Sequence, residues 1–276
     1  MKVNIKLLKN LYMINHPSQV ETPMINFIIN YCYKIPKIKF ELDHYSNLFI
    51  TKNTTNPKTY PCIVAHMDSF HDIIAPRTLI IKNDIIYSTL YDSTPCGLNA
   101  DDCNGILIAL QLLETLPNLK VCFTVEEEIG GVGAIETKYN ERFFSDVGYL
   151  IQPDRKGSQD LIYYTNCTYI AAPEFIVDIY PIMNKYNYKK AKGLFTDVGI
   201  IAAEQGISGA NISCGYYNEH TSGEYCNIKE LENCLNFIYE IITTIPENEY
   251  RIDISKQAPC FECSINDCHF CPDYDF

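Results

Sequence analysis

A chain of 276 residues with 47% hydrophobic content can bury one large α/β core, or one core with a small appendage. Its formal charge of -12, from 34 acidic against 22 basic side chains, removes the basic face that a nucleic-acid partner requires. No run of about 20 apolar residues is available to span a bilayer, and residues 1–15 lack the apolar stretch and cleavage site of a secretory signal, so no membrane partner and a cytoplasmic location are expected.

Residues 3–13 and 19–33 carry apolar positions at helical spacing, and His16-Pro17-Ser18 between them is a break expected to cap the second helix. KIKFELD and NLFITKN read as two strands. PCIVAH (61–66) is a continuous apolar run, suited to a strand buried on both faces. LIIKNDIIYS (79–88) reads as a hairpin turning at Lys82-Asn83-Asp84. An amphipathic helix over 104–116 precedes the buried strand LKVCFTV (119–125), and VGAIETKY starts another helix. Strands follow at VGYLIQ (147–152) and DLIYYTN (160–166); FTDVGIIAAEQG holds a helix ended by Gly206, ISGANIS (207–213) is a strand, and 228–245 is a closing helix. This alternation predicts an α/β fold: a single, mostly parallel, twisted sheet with helices on both faces.

In such a sheet ligands gather beyond the carboxyl ends of the strands. His66, Asp101, Glu128, Asp154 and His220 all stand at such ends or just before a helix, and two imidazoles with three carboxylates suit a pair of divalent metals. His66 and Asp68, two apart on an extended chain, point the same way, so Asp68 can orient the imidazole. Asp101 and Asp102 stand before a helix, where one can cap and the other bridge metals; adjacency does not say which. Glu127 and Glu128 can serve one site only if the backbone turns there, as Gly130 and Gly131 permit.

Nine of the 13 cysteines are dispersed, in segments such as PCIVAH and KVCFTV, and read as small buried hydrophobes. The other four, Cys260, Cys263, Cys268 and Cys271, form a paired CxxC array with His269 inside it. A structural zinc knuckle is one reading; two disulfides or a disordered tail are the others. The expected organisation is a catalytic domain over 1–250 and a Cys-rich tail over 251–276.

AHMD, NADDCNG, FTVEEEIGGVGA, QPD, FTDVG and NEHTSGEY, in that order, resemble the co-catalytic di-zinc exopeptidases typified by peptidase T, carboxypeptidase G and related acyl-amino-acid deacylases, over roughly residues 3–245. The resemblance implies two active-site zinc ions, one held by His66, Asp101 and Asp154, the other by Asp101, Glu128 and His220, with Asp101 bridging. It makes Asp68 the orienting carboxylate and Glu127 the general base. Some branches insert a lid between the Asp154 and His220 segments whose histidine stabilises the oxyanion; here that interval leaves no room for one, and Tyr216 or Tyr217 is the substitute candidate. Cys103 also stands where a lysine is usual after the paired aspartates.

The expected activity is zinc-dependent amide hydrolysis, most simply by an aminopeptidase on short peptides. A carboxypeptidase or N-acyl amino acid deacylase uses the same site, and a non-catalytic binding module is the competing class. A phosphoesterase lacks its basic phosphate clamp here. The oligomeric state stays open.

Overall fold

The computed structural model describes residues 1–165 and 168–253. Cys167 and the four tail cysteines Cys260, Cys263, Cys268 and Cys271 lie outside the described residues.

The chain opens with helices α1 (Ile5–Tyr12) and α2 (Thr22–Cys32), then strands β1 (Ile38–Leu42), β2 (Leu48–Asn53) and β3 (Tyr60–His66). A small group follows, β4 (Arg77–Lys82), β5 (Ile85–Leu90) and β6 (Pro95–Cys96), before helix α3 (Ala100–Thr115) and strand β7 (Asn118–Thr124). Helices α4 (Val132–Glu136) and α5 (Glu141–Phe144) lead to β8 (Val147–Arg155), β9 (Asp160–Thr165) and β10 (Thr168–Tyr169). The remainder is α6 (Pro173–Lys185), β11 (Lys189–Gly193), α7 (Asp197–Gln205), β12 (Gly209–Ser213), β13 (Tyr216–Tyr217), β14 (Tyr225–Asn227) and α8 (Ile228–Thr244).

The main sheet runs β1-β2-β7-β3-β8-β12-β9-β10, with β11 beside β9. Its centre, β7-β3-β8-β12, is parallel, while β1 and β2 on one side and β9 and β10 on the other join antiparallel. The parallel strands read as unbroken apolar runs because both of their faces are buried. On β3, Ile63 and Ala65 enter the core shared with α1, α3 and α8, whereas Cys62 and Val64 enter a second core with α4, α5 and α7. Val121 and Phe123 against Cys122, and Tyr149 and Ile151 against Leu150, repeat the alternation on β7 and β8. The eight described cysteines are free thiols and all buried, as expected of small core residues.

Chain order places β7 and β8 on opposite sides of β3, so the topology switches direction at β3. That is where an open α/β sheet leaves a crevice beyond its carboxyl edge.

Besides the short and unexpected α5 and β10, the structure departs from the sequence expectations in three respects. First, the sheet is not single: β13-β14-β5-β4, with β6 beside β5, forms a second antiparallel sheet. Its hairpin turns at Asn83 and Asp84, both left-handed at φ 51° and 64°, as the sequence suggests; its other strands are two or three residues long and too short to show a period. Second, α6 and β11 fall where no element is expected from sequence: Pro181 interrupts the helical pattern of α6, and β11 is the charged edge segment KKAKG. Third, Ser18 does not cap α2, whose N-cap is Glu21 without a side-chain bond; the Ser18 hydroxyl donates instead to Asp68 at 2.7 Å.

His16, in the same break, is fully buried, with Nδ1 2.8 Å from the Met67 carbonyl and Nε2 3.5 Å from Cys103 Sγ. Burial lowers its pKa to about 4, whereas an imidazole in the unfolded chain titrates near about 6.5. The unfolded chain therefore binds the proton first as pH falls, and stability drops between these values by up to about 3 kcal/mol. Above about pH 6.5 both forms are neutral and the effect is absent. We expect the unfolding midpoint of His16→Asn to decline less steeply than that of the wild type between pH 6.5 and 4; parallel declines would contradict this assignment.

Among the described residues, no helix is long and apolar enough to cross a membrane.

Candidate metal centre

His66 is the last residue of β3, buried to 1% exposure, with Nε2 3.0 Å from Asp101 Oδ1 and 3.7 Å from Asp154 Oδ1. Its Nδ1 lies 3.0 Å from the Asp68 carbonyl and 3.3 Å from Asp68 Oδ1, which fixes the ring with Nε2 facing the acidic cluster. Asp154, near the end of β8, turns Oδ1 to His66 and receives the Gln152 amide on Oδ2 at 2.8 Å.

On the other side, His220 Nε2 stands 2.9 Å from Glu128 Oε2 and 3.4 Å from Asp101 Oδ2. Asp101 therefore divides its two oxygens between two clusters, His66 with Asp154 and His220 with Glu128. The neighbouring Asp102 does the capping, accepting the Gly105 N–H at 2.9 Å on Oδ1. The peptide bond between the two aspartates is cis. Of the pair, the capping role falls to Asp102.

The turn required of Glu127 and Glu128 is present. Glu126 is left-handed at φ 56°, and the N–H groups of Gly130 and Gly131 close onto the Glu127 carbonyl at 2.9 and 3.0 Å. Asp68 receives the Glu127 N–H on Oδ1 at 2.9 Å and the Glu128 N–H on Oδ2 at 3.1 Å. One carboxylate thus orients His66 and holds the glutamate loop. Asn99, Asn218 and His220 are left-handed as well, at φ 65°, 55° and 60°. Such backbone persists only where the surroundings dictate it, and it concentrates at functional sites.

The electrostatics reflect crowded carboxylates with two imidazoles between them. Burial, then the charges of Asp197, Asp154 and Asp101, push Glu127 up to about 9. Burial and Asp101 push Asp154 up to about 8. Burial opposes ionisation of Asp101, but hydrogen bonds from His220 and His66 outweigh it and hold its pKa below the usual carboxylate range. His220, paired with Asp101 and Glu128, rises to about 10. Asp102 Oδ2 and Asp197 Oδ1 are buried with no hydrogen-bond partner among the described residues. Three groups, His66–Asp102–Asp154, His66–Glu127–Glu128 and Asp101–Glu128–His220, each bring candidate ligand atoms within 4.8 Å of one another. Orphaned carboxyl oxygens, carboxylates pushed up by burial and then by one another, and a mixed His/carboxylate donor set all fit divalent cations.

Of the two candidate tyrosines, Tyr216 directs its hydroxyl to Asp154 Oδ1 at 3.3 Å. Tyr217 is committed to Glu230 of α8 at 2.6 Å. Asp197 and Glu224 stand inside the motifs FTDVG and NEHTSGEY, which single out their segments but assign these two carboxylates no role, and Ser18, expected in the helix cap, carries no sequence signal for its bond to Asp68.

No family model matches the chain, and no curated protein matches it in sequence. Its fold is similar to that of the aminopeptidase PepT from Bacillus cereus, with a TM-score of 0.72 and 14% identity over 88% of this chain and 99% of that one. A tripeptidase from Staphylococcus aureus gives a TM-score of 0.66 at 16% identity, over 88% and 98% of the two chains. An aminopeptidase from the archaeon Desulfurococcus kamchatkensis gives 0.63 at 16% identity, over 90% and 95%. At these identities the likeness is one of fold, and it bears out the exopeptidase-like α/β architecture expected from the sequence motifs.

Proposed function

We propose that this chain is a two-zinc aminopeptidase that hydrolyses the N-terminal amide bond of short peptides. What supports the reading most is Asp101, whose two oxygens face two separate histidine–carboxylate clusters 3.0 and 3.4 Å away. In this reading His66, Asp101 and Asp154 hold one zinc, and Asp101, Glu128 and His220 the other. When bound, such a pair polarises a carbonyl and lowers the pKa of water to about 7.

The protein's own groups supply the rest. Glu127 takes the proton of the attacking water on its carboxylate and passes it to the departing amine. Asp68 keeps His66 oriented and Glu127 in reach through the contacts described above. Tyr216 is the candidate donor to the developing oxyanion, taking the place of a lid histidine. Among the described residues, every ion pair of Asp68, Asp101, Glu128 and Asp154 is with His66 or His220. A site so rich in carboxylates favours a substrate's free ammonium group over a terminal carboxylate, which agrees with the aminopeptidase and tripeptidase names of the structural neighbours.

The test is zinc titration of metal-depleted protein, followed by a peptide panel. Uptake of about two equivalents, with cleavage of free-amine peptides and resistance of their N-acetylated counterparts, is the expected result. Preference for acylated substrates would replace the reading with a deacylase. Zinc uptake without turnover on any member would leave a binding module.

A further inference from the structure

Glu224 lies four residues after His220 and is buried to 2% exposure. Its Oε2 accepts the N–H groups of Leu98 and Asn99 at 2.8 and 2.9 Å, and its Oε1 those of Ala100 and Asp101 at 2.7 and 3.3 Å. These four residues span the start of α3, where the backbone is not yet helical: Asn99 is left-handed, and Asp101 and Asp102 depart from helical φ/ψ. Their N–H groups therefore lack intrahelical partners. The left-handed Asn99 forms a turn that gathers successive N–H groups into an anion-binding concavity, and the occupant is a carboxylate of this same chain.

The same carboxylate reaches a third segment. Glu224 Oε2 is 3.2 Å from His71 Nε2, and the His71 ring lies so close to Gly97 that a Cβ there would come within 2.2 Å of it. Gly97 is thus required for this approach. Glu224 touches the 66–71 segment that begins with His66, the 98–101 segment that ends with Asp101, and belongs to the loop that carries His220.

We propose that Glu224 is a positioning residue that sets the spacing of the metal ligands, above all the place of the Asp101 carboxylate between His66 and His220. It touches none of the reacting atoms and acts through the backbone of Asp101 and the ring of His71. The inference rests on the two-metal reading, since ligand spacing matters only if ligands bind.

Glu224→Gln tests it. One end of the amide still accepts N–H groups, while its NH2 opposes the others, so the concavity loses half its anchor. Zinc affinity, measured against a competing chelator, is expected to fall about 10–100-fold, the usual effect of removing an outer support of metal ligands. Hydrogen exchange at the amides of residues 98–101 is expected to quicken in the metal-free protein. Ile241→Val in the buried core of α8 serves as a control for general destabilisation and should keep wild-type zinc affinity. Glu224→Asp keeps the charge but withdraws it, and should weaken zinc binding too, which gives a second reading if the glutamine variant does not fold.

Wild-type zinc affinity in either Glu224 variant overturns the inference and leaves the two-metal reading intact. Failure of the wild-type protein to bind zinc overturns the two-metal reading and this role with it; the exchange data then report on the backbone clamp alone. Equal loss of affinity in Ile241→Val would reduce Glu224 to a general structural role and also overturn the proposal.

Discussion

Glu127→Gln should leave the protein folded and zinc-binding while slowing peptide cleavage by about 10²–10⁴-fold, the usual contribution of a positioned acid–base group. The amide keeps the shape of the side chain but has no oxygen able to take up the water's proton. Folding should be little affected, because burial and the surrounding carboxylates raise Glu127 to about 9 in the metal-free protein, where it is already neutral at pH 7. Bound cations favour its ionised form and so prepare it as a base. Turnover at the wild-type rate with two zinc ions bound would remove Glu127 from the role. Loss of zinc together with activity would make it a ligand, the place it holds in the His66–Glu127–Glu128 grouping.

Asp101→Asn should weaken both zinc sites at once, each by on the order of 100-fold or more, above the 10–100-fold common for outer supports of a metal site. The reason is geometric. Asp101 Oδ1 faces His66 and Asp101 Oδ2 faces His220, so the substitution removes charge from both clusters. His220→Ala, by contrast, touches only the cluster shared with Glu128 and should leave one equivalent bound. Metal analysis by mass spectrometry after dialysis reads both outcomes directly. Two retained equivalents in Asp101→Asn would show that the carboxylate does not bridge, and the buried Asp102 Oδ2, without a hydrogen-bond partner among the described residues, would become the alternative.

Much of this architecture was legible because burial leaves a periodic trace. β3, β7 and β8 read as apolar runs, since a strand covered on both faces needs apolar residues at every position. α8 shows itself by its helical stripe, and its cap, Asn227, receives the N–H groups of Lys229 and Glu230 at 3.1 and 3.4 Å. The end of α7 at Gly206, left-handed at φ 63°, was readable for the same local reason. Elements without such a trace are not legible in the sequence. α6 has a proline in its interior, β11 is charged along an edge, and β6, β13 and β14 are too short for any period.

The site divides along the same line. The sequence by itself determined which residue types stand at the strand ends, His66 closing β3, Glu127 and Glu128 after β7, and Asp154 on β8, because the carboxyl edge of a parallel sheet is fixed by strand order and direction. Only the tertiary structure decided that Asp102 caps while Asp101 faces both histidines, that Ser18 serves Asp68 rather than its own helix, and that Glu224 fills the concavity before α3. Each of those outcomes depends on a left-handed turn or on a partner far away in the chain, and neither leaves a periodic pattern among neighbouring residues.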